Sequence, residues 1–422
     1  MNKVFLFALA LGLAVSSGAQ AAHFKVLKNF CERDNCLDGA NPFSAPVADG
    51  AGNYFGTTVD GGAGGGTVYE MSPEGNRWRY QRIHFFCAKP SCGDGQSPFG
   101  RLIVDTKGNL YGMTSGGGRN GKGVVFELIR AGGEWRYKRL YDFCSRPSCA
   151  DGTSPQYSGL TYQGAASGAL YDGTSPLYGT TPLGGANNGG VIFTLTRNGH
   201  DWSESVVFDF CAFDQCTAGT GPASSVLVDA SGHLFATTLD GGEHEDGTVV
   251  ELTRNGTAWD ETVLASFCAQ ANCADGSFPA SPLAMDGAGD LYGTTQSGGA
   301  HNQGSVFKLH PNGAGSTLTT LYSFCSQTNC NDGSLPYAGV TIDAQGRLIG
   351  ATLEGGTQSF GTLFMLSGKH LDKLTTLVSF AESTTPGGQP YSAPVFDPSG
   401  AMFGTAWVGG SASSGVLYMF KP

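Results

Sequence analysis

The feature that most constrains this chain is a unit that recurs seven times from end to end. Six copies contain a Phe-Cys-x-x-x-x-Cys segment, and the spacing between copies is almost constant, except for one longer interval after Cys144. In the seventh copy Ala381 stands where the first cysteine would be. A fixed period of this kind predicts one repeat architecture along the chain rather than a series of independent domains. The first cysteines of the six copies are Cys31, Cys87, Cys144, Cys211, Cys268 and Cys325.

Each unit reads as four short β-strands joined by glycine-rich turns. In the second unit the strand-like runs are 101–105, 109–114, 123–128 and 135–143, and the first two are separated by an Asp-x-x-Gly turn. Four antiparallel strands per unit, repeated seven times, are typical of a β-propeller. The predicted fold is therefore all-β: a single seven-bladed β-propeller with four-stranded antiparallel blades, spanning 22–422.

The two ends of the chain are predicted to complete one blade together. The seventh unit has three strand-like runs, at 393–396, 402–407 and 416–420, and no fourth. The segment 23–30 matches the fourth strand of the fifth unit, 318–324. We expect this N-terminal strand to join the last blade and close the ring, which would leave no open sheet edge. The units begin near residues 31, 87, 144, 211, 268, 325 and 381.

The segment 1–21 has the pattern of a secretory signal peptide. Lys3 precedes an apolar run over 4–15, and Ala19-Gln20-Ala21 offers a small-residue cleavage site. The run is too short to remain across a bilayer, and no second apolar segment follows it. We expect an exported monomer, periplasmic or secreted, without membrane insertion.

Export decides how the cysteines are interpreted. An even number of cysteines at regular spacing indicates disulfides in an oxidising compartment, and the spacing does not fit a zinc site. Each bridge would close a six-residue loop, worth roughly 2 kcal/mol in the chain-entropy model. We therefore predict no free thiol, no metal and no cofactor. The predicted pairs are Cys31–Cys36, Cys87–Cys92, Cys144–Cys149, Cys211–Cys216, Cys268–Cys273 and Cys325–Cys330.

Charge and recurring aspartates narrow the functional classes. The net charge of −11 disfavours a nucleic-acid partner, which requires a basic face.

One aspartate follows the second cysteine in five units, in an Asp-Gly pair. A single carboxylate per blade does not supply the oxygen ligands of a calcium site, so we expect a turn-forming role. These aspartates are Asp38, Asp94, Asp151, Asp275 and Asp332.

The second strand of each unit carries a recognisable motif. The stretch 291–307 reads LYGTTQSGGAHNQGSVF. Close copies of its first five residues occur at 54–58, 110–114, 177–181 and 234–238, and less similar copies occur at 348–352 and 402–406. This motif resembles the GloVer tandem repeat of exported bacterial proteins. The resemblance implies an exported, propeller-like protein and implies no activity or catalytic residue set. Members are often tethered by a C-terminal sorting segment, which this sequence does not contain.

The starts of the predicted inner strands supply the candidate binding residues. Small and aromatic residues dominate there, and Arg101 is the only charged one. The aromatic residues could form a rim that stacks on sugar rings, or they could be packing between blades. The leading hypothesis is a non-catalytic protein that binds an extracellular glycan or protein, such as an envelope protein, through its disulfide-bearing face. The candidate residues are Phe43, Phe99, Arg101, Tyr157, Tyr337 and Tyr391.

Two alternatives remain open. The most polar loop of the chain contains Glu243, His244, Glu245 and Asp246, and His301 occupies the equivalent loop of the next unit. These groups could serve a hydrolase or lyase as acid and base, or they could be a solvated charged loop. The third hypothesis is a structural envelope protein without a small ligand.

Overall fold

The computed structural model describes residues 22–212, 216–313, 315–382 and 385–422, so the predicted signal peptide lies outside the described residues. The chain forms seven antiparallel sheets arranged as the blades of a propeller. The predicted fold class and blade count are confirmed. Within the described residues, no helix is long and apolar enough to cross a bilayer.

The strands follow one another from the inner to the outer edge of each blade. The chain begins with β1 (His23–Asn29). Blade 1 contains β2 (Val47–Ala48), β3 (Tyr54–Thr58), β4 (Thr67–Glu74) and β5 (Arg77–Phe85). Blade 2 contains β6 (Ile103–Val104), β7 (Leu110–Thr114), β8 (Val124–Ala131) and β9 (Glu134–Asp142). Blade 3 contains β10 (Leu177–Thr181), β11 (Val191–Asn198) and β12 (Asp201–Asp209).

The remaining blades repeat this order. Blade 4 contains β13 (Leu227–Val228), β14 (Leu234–Thr238), β15 (Thr248–Asn255) and β16 (Ala258–Ser266). Blade 5 contains β17 (Ala284–Met285), β18 (Leu291–Thr295), β19 (Ser305–His310) and β20 (Thr317–Ser323). Blade 6 contains β21 (Val340–Ile342), β22 (Leu348–Thr352), β23 (Thr362–Ser367) and β24 (Lys373–Ser379). Blade 7 contains β25 (Val395–Phe396), β26 (Met402–Ala406) and β27 (Val416–Lys421).

Short 3-10 helices lie between the strands of the described chain. Five of them are within disulfide loops, and the sixth, Ala165–Ser167, lies in the longer third unit. The five are Asp34–Cys36, Pro90–Cys92, Pro147–Cys149, Ala271–Cys273 and Thr328–Cys330.

Blade 7 is closed by β1, as predicted. β1 pairs antiparallel with β27, from His23 opposite Lys421 to Asn29 opposite Val416. Blade 3 differs from the predicted four strands, because its inner edge is a single bridge between Thr161 and Tyr178. The ten extra residues of this unit follow Thr161 almost directly and take the place of a regular hairpin.

The Gly-Thr-Thr motif packs each blade internally. A Cβ atom added at Gly293 would lie 2.6 Å from the ring of Phe307, which faces it on the next strand. The fourth unit has Ala236 at this position, and there the facing residue is the smaller Val250. The absence of a side chain at the glycine therefore makes room for an aromatic core residue.

The first threonine of the motif ties neighbouring blades together. In three blades its buried hydroxyl donates a hydrogen bond to the carbonyl of a serine that lies three residues before the inner strand of the next blade. The pairs are Thr180–Ser224 at 2.8 Å, Thr237–Ser281 at 3.1 Å and Thr405–Ser44 at 3.2 Å. Each bond therefore ties the second strand of one blade to the segment that leads into the inner strand of the next blade.

Candidate functional site

The six predicted disulfides are present, and all lie on one face of the propeller, where the chain crosses from an outer strand to the next blade. The aspartate after the second cysteine has a larger role than the predicted turn. The Asp332 carboxylate accepts hydrogen bonds from the backbone N–H groups of Ser326 at 2.9 Å and Gln327 at 3.1 Å. It therefore binds the disulfide loop from inside.

The Asp151 carboxylate in the third disulfide loop is stabilised as an anion. Burial alone would raise the pKa of Asp151, but hydrogen bonds from Tyr141, Ser145 and Arg146 outweigh burial and lower the pKa. The carboxylate accepts these bonds over distances of 2.6 to 3.1 Å. A disulfide and a buried carboxylate together make each loop a stiff crossing between blades.

The predicted aromatic residues come together at the end of the channel nearest the disulfide loops. Phe43 is buried, and its ring lies 5.3 Å from the rings of Phe99 and Tyr157 and 4.7 Å from that of Tyr391. Tyr157 of blade 3 and Tyr337 of blade 6, on opposite sides of the ring, have centroids 5.9 Å apart. The rings therefore fill the channel at this end instead of surrounding an open mouth. We call these five residues the ring cluster.

The hydroxyl groups of Tyr337 and Tyr391 in the ring cluster do not act as acids near neutral pH. Burial raises the pKa of Tyr337 well above its ordinary value, with smaller contributions from Tyr157 and Tyr391. Burial also raises the pKa of Tyr391. Because a neutral phenol is a weak acid, these two tyrosines are poor candidates for proton transfer.

Behind the ring cluster, the channel contains a cavity of about 480 Å³. Its wall consists mainly of aliphatic side chains from the inner strands, among them Leu102, Leu160 and Leu283. The Arg101 side chain also lines the cavity; it is exposed to the lumen but surrounded by protein. Burial lowers the pKa of Arg101, with Tyr162 acting in the opposite direction, yet a guanidinium keeps its proton in proteins.

No hydrogen bond or salt bridge to Arg101 occurs in the described part of the chain. The buried hydroxyl of Ser392, which lines the same cavity, also lacks a hydrogen-bond partner there. The sequence predicted Arg101 as a candidate, but Ser392 was missed because a serine at a strand start has no distinguishing pattern. Two polar groups without a partner thus lie in a cavity wall that is mainly aliphatic and also contains tyrosine, serine and threonine side chains.

The extra residues of the third unit form part of the cavity wall at the other end of the channel. The backbone of Tyr171 pairs with blade 2, through Val104 at 3.1 Å and Thr106 at 2.9 Å. Along the chain between Thr161, which bridges Tyr178, and Tyr171, the residues Ala166 and Leu170 line the cavity. The sequence marked this segment only by its length, so its contribution to the channel was not predicted.

The acidic loop of the fourth unit does not form a converging site. Glu243, His244 and Glu245 are exposed, and none of the four loop residues lines the central cavity. Burial raises the pKa of Asp246, and the nearby carboxylates reinforce this shift. Asp246 lies within 4.8 Å of two cysteine sulfurs, but these are bonded to each other and are not thiolate ligands.

A smaller polar cleft of about 350 Å³ lies between blades 2 and 3. The hydroxyl of Tyr111 lies there between two buried carboxylates, 3.2 Å from Asp105 and 2.9 Å from Glu127. Asp105 also accepts bonds from the backbone N–H groups of Lys107 and Asn109, both at 2.8 Å. Its carboxylate is therefore already used in closing the hairpin turn.

Fold and site together define a disulfide-stapled, seven-bladed β-propeller with a cavity on its axis. A comparison with protein-family models matches residues 11–175 and 268–422 to the Gloeobacter/Verrucomicrobia repeat. The chain belongs to this repeat family, and the predicted resemblance is confirmed. A comparison with curated protein sequences finds no match.

Solved structures share the fold at low sequence identity. The Cps50 (Swd1) β-propeller domain of Myceliophteria thermophila is 12% identical, with a TM-score of 0.52 over 93% of this chain and 98% of that one. A protein from Lactobacillus plantarum is 12% identical, with a TM-score of 0.49 over 84% and 95%. A candidate 6-phosphogluconolactonase from Bacteroides uniformis is 11% identical, with a TM-score of 0.49 over 79% and 83%. At such identities the likeness concerns the fold alone.

Proposed function

We propose that this chain is an exported, non-catalytic binding protein that takes a small ligand into its central channel. The observation that carries the proposal is the axial cavity of about 480 Å³, a volume typical of small-molecule sites. The ring cluster fills the channel on the disulfide face. The ligand therefore enters from the opposite face, beside the extra residues of the third unit.

The chemistry of the cavity favours binding over catalysis. Its described lining contains one arginine and four tyrosines but no histidine, aspartate or glutamate. Acid–base catalysis requires groups that exchange protons near the working pH, and these side chains do not. The exposed acidic loop around Glu245 lies outside the cavity, which counts against the hydrolase or lyase hypothesis.

The disulfides support the exported part of the proposal. Six bridges persist only in an oxidising compartment, so the mature chain belongs in the periplasm or outside the cell. Expression with the native N-terminus, followed by cell fractionation and thiol alkylation, tests this point. Recovery of alkylatable protein in the cytosol would contradict it.

The channel proposal is tested by blocking the mouth of the cavity. Saturation-transfer NMR against a library of small metabolites should yield ligands for the unaltered chain. An Ala166→Trp variant places a bulky ring in the cavity wall and should lose them. Ser167→Trp is the matched control, because its neighbouring position is exposed and does not line the cavity. Ligands that bind all three proteins equally would overturn the channel as the site.

A protein partner at the disulfide-bearing face is the second candidate. The side chains of Leu37, Phe85 and Leu183 are 43%, 38% and 46% exposed there, which is unusual for large apolar residues. A glycan is less well supported at this face, because the aromatic rings of the ring cluster pack on one another and offer no open platform for stacking.

Arrays of envelope proteins and glycans, probed with the purified chain and a Leu37→Ser/Leu183→Ser variant, test the protein-partner candidate. Equal signals from both proteins would overturn it.

A further inference from the structure

An arginine without a partner in a protein-lined cavity is an unusual feature. Arg101 lies in a cavity lined mainly by aliphatic side chains, and no described carboxylate lines the cavity to balance its charge. Surroundings of low polarity solvate an isolated ion poorly, so such groups are normally paired. The same surroundings strengthen the attraction of the guanidinium for an anion that enters the channel.

The lining of the cavity limits which anion fits. A single guanidinium balances a single negative charge, and its planar N–H groups match a carboxylate in a two-point arrangement. The aliphatic walls, formed by residues such as Leu160 and Leu227, favour an apolar body on the same molecule. The unpartnered hydroxyl of Ser392 adds one more polar group to the wall.

We propose that the ligand of the channel is a small organic acid with an apolar body, and that Arg101 binds its carboxylate. This inference rests on the proposed function of the channel and specifies the chemistry of the ligand. It also explains why the lumen contains a single charge: the arginine is paired only when the ligand is bound.

Paired probes test the assignment directly. Isothermal titration calorimetry compares 2-naphthoate with its neutral counterpart 2-naphthylmethanol on the unaltered chain and on Arg101→Met. The unaltered chain should bind the anion at least about tenfold more tightly, and Arg101→Met should lose that preference while keeping its affinity for the alcohol. Arg136→Met is the matched control, because Arg136 is exposed on the outer strand β9; it should bind both probes as the unaltered chain does.

The stability of the variants separates binding from a structural role. Removal of an unpaired, enclosed charge should leave the thermal midpoint of Arg101→Met unchanged or higher. 2-Naphthoate should raise the midpoint of the unaltered chain but not that of Arg101→Met. A lower midpoint for Arg101→Met without ligand would indicate that the guanidinium supports the fold, and would overturn the assignment.

The remaining outcomes distinguish this inference from the channel proposal. If both probes bind with equal affinity and Ala166→Trp abolishes the binding, the channel is the site and Arg101 is not the anion contact. If neither probe binds, the organic-acid assignment is wrong, and the channel proposal is then decided by whether the NMR ligands of the unaltered chain are lost in Ala166→Trp. If sodium sulfate displaces 2-naphthoate at comparable concentration, the site takes inorganic anions and the organic-acid assignment is wrong.

Discussion

The rings of Phe43 in blade 1 and Tyr391 in blade 7 are stacked, with their centroids 4.7 Å apart and their planes at 25°. Phe43 also contacts the rings of Tyr157 and Tyr337, which belong to blades 3 and 6. With Phe99 of blade 2, whose ring is 5.3 Å away, this single side chain joins five of the seven blades across the axis. It also separates the disulfide face from the cavity behind the ring cluster.

Replacement of Phe43 by alanine should destabilise the propeller by about 3 kcal/mol, since it leaves a cavity among five rings. The free energy of unfolding in chemical denaturant measures this loss. Phe85→Ala is the control, because Phe85 is 38% exposed and should cost less than about 1 kcal/mol. Similar losses for the two variants would contradict the role assigned to Phe43.

Gly293→Ala should cost about 1–3 kcal/mol, because the new methyl group would overlap the ring of Phe307. Gly287 in the same blade has no atom near its missing Cβ, so Gly287→Ala should be close to neutral. Adding Phe307→Val to Gly293→Ala recreates the alanine–valine pair of the fourth unit and should remove the overlap. Thermal unfolding of the four proteins checks the series, and no gain from the second substitution would refute the steric explanation.

Asp332→Ala should destabilise the sixth unit by about 2 kcal/mol, because two backbone N–H groups of the disulfide loop lose their acceptor. Asp34→Ala should have little effect, since Asp34 is an exposed loop aspartate with no side-chain hydrogen bond among the described residues. Denaturant unfolding gives the cost, and hydrogen exchange of the Ser326 amide reports the local effect. Unchanged exchange in Asp332→Ala would argue against the carboxylate as the acceptor.

The stability of the protein should depend on the protonation of Glu204. Burial raises the pKa of Glu204 from 4.5 to about 7; Arg146, whose guanidinium is 2.7 Å away, and Tyr141 oppose this shift, and Asp151 adds to it. Because the folded-state pKa is raised, the stabilisation from the protonated form is complete below pH 4.5 and is lost as the pH rises through 7.

The difference in unfolding free energy between the unaltered chain and Glu204→Gln isolates this contribution. The difference should shift against the unaltered chain between pH 4.5 and 7 and then level off. Denaturant titrations at half-unit pH intervals measure it. A difference that does not vary with pH would show that Glu204 does not titrate in this range.

Much of the fold could be predicted from the sequence because it is local information repeated seven times. The period, the turn residues and the strand of 23–30 specified the blade count and the closure of the ring. Cys325 and Cys330 are five positions apart, so their disulfide could likewise be predicted from local sequence. The inner strand of blade 3 was the exception, since an insertion of ten residues disrupts the local pattern after Thr161.

The site was predictable only in part. The sequence marked Arg101 as the one charged residue at the strand starts, and the structure places it in the wall of the cavity. It did not show that the rings of Phe43 and Tyr391 fill the channel, because residues 348 positions apart meet only when the ring is closed.

The sequence by itself thus determined the architecture of this protein: seven blades, six disulfides and one closing strand. Each of these features is encoded within a single unit or at the two ends of the chain. Only the tertiary structure decided which end of the channel is filled and what lines the space behind it. The physical reason is that the channel belongs to no single unit. Its wall is made where inner strands from all blades converge, so its shape and its unpaired charge arise from contacts that no local pattern specifies.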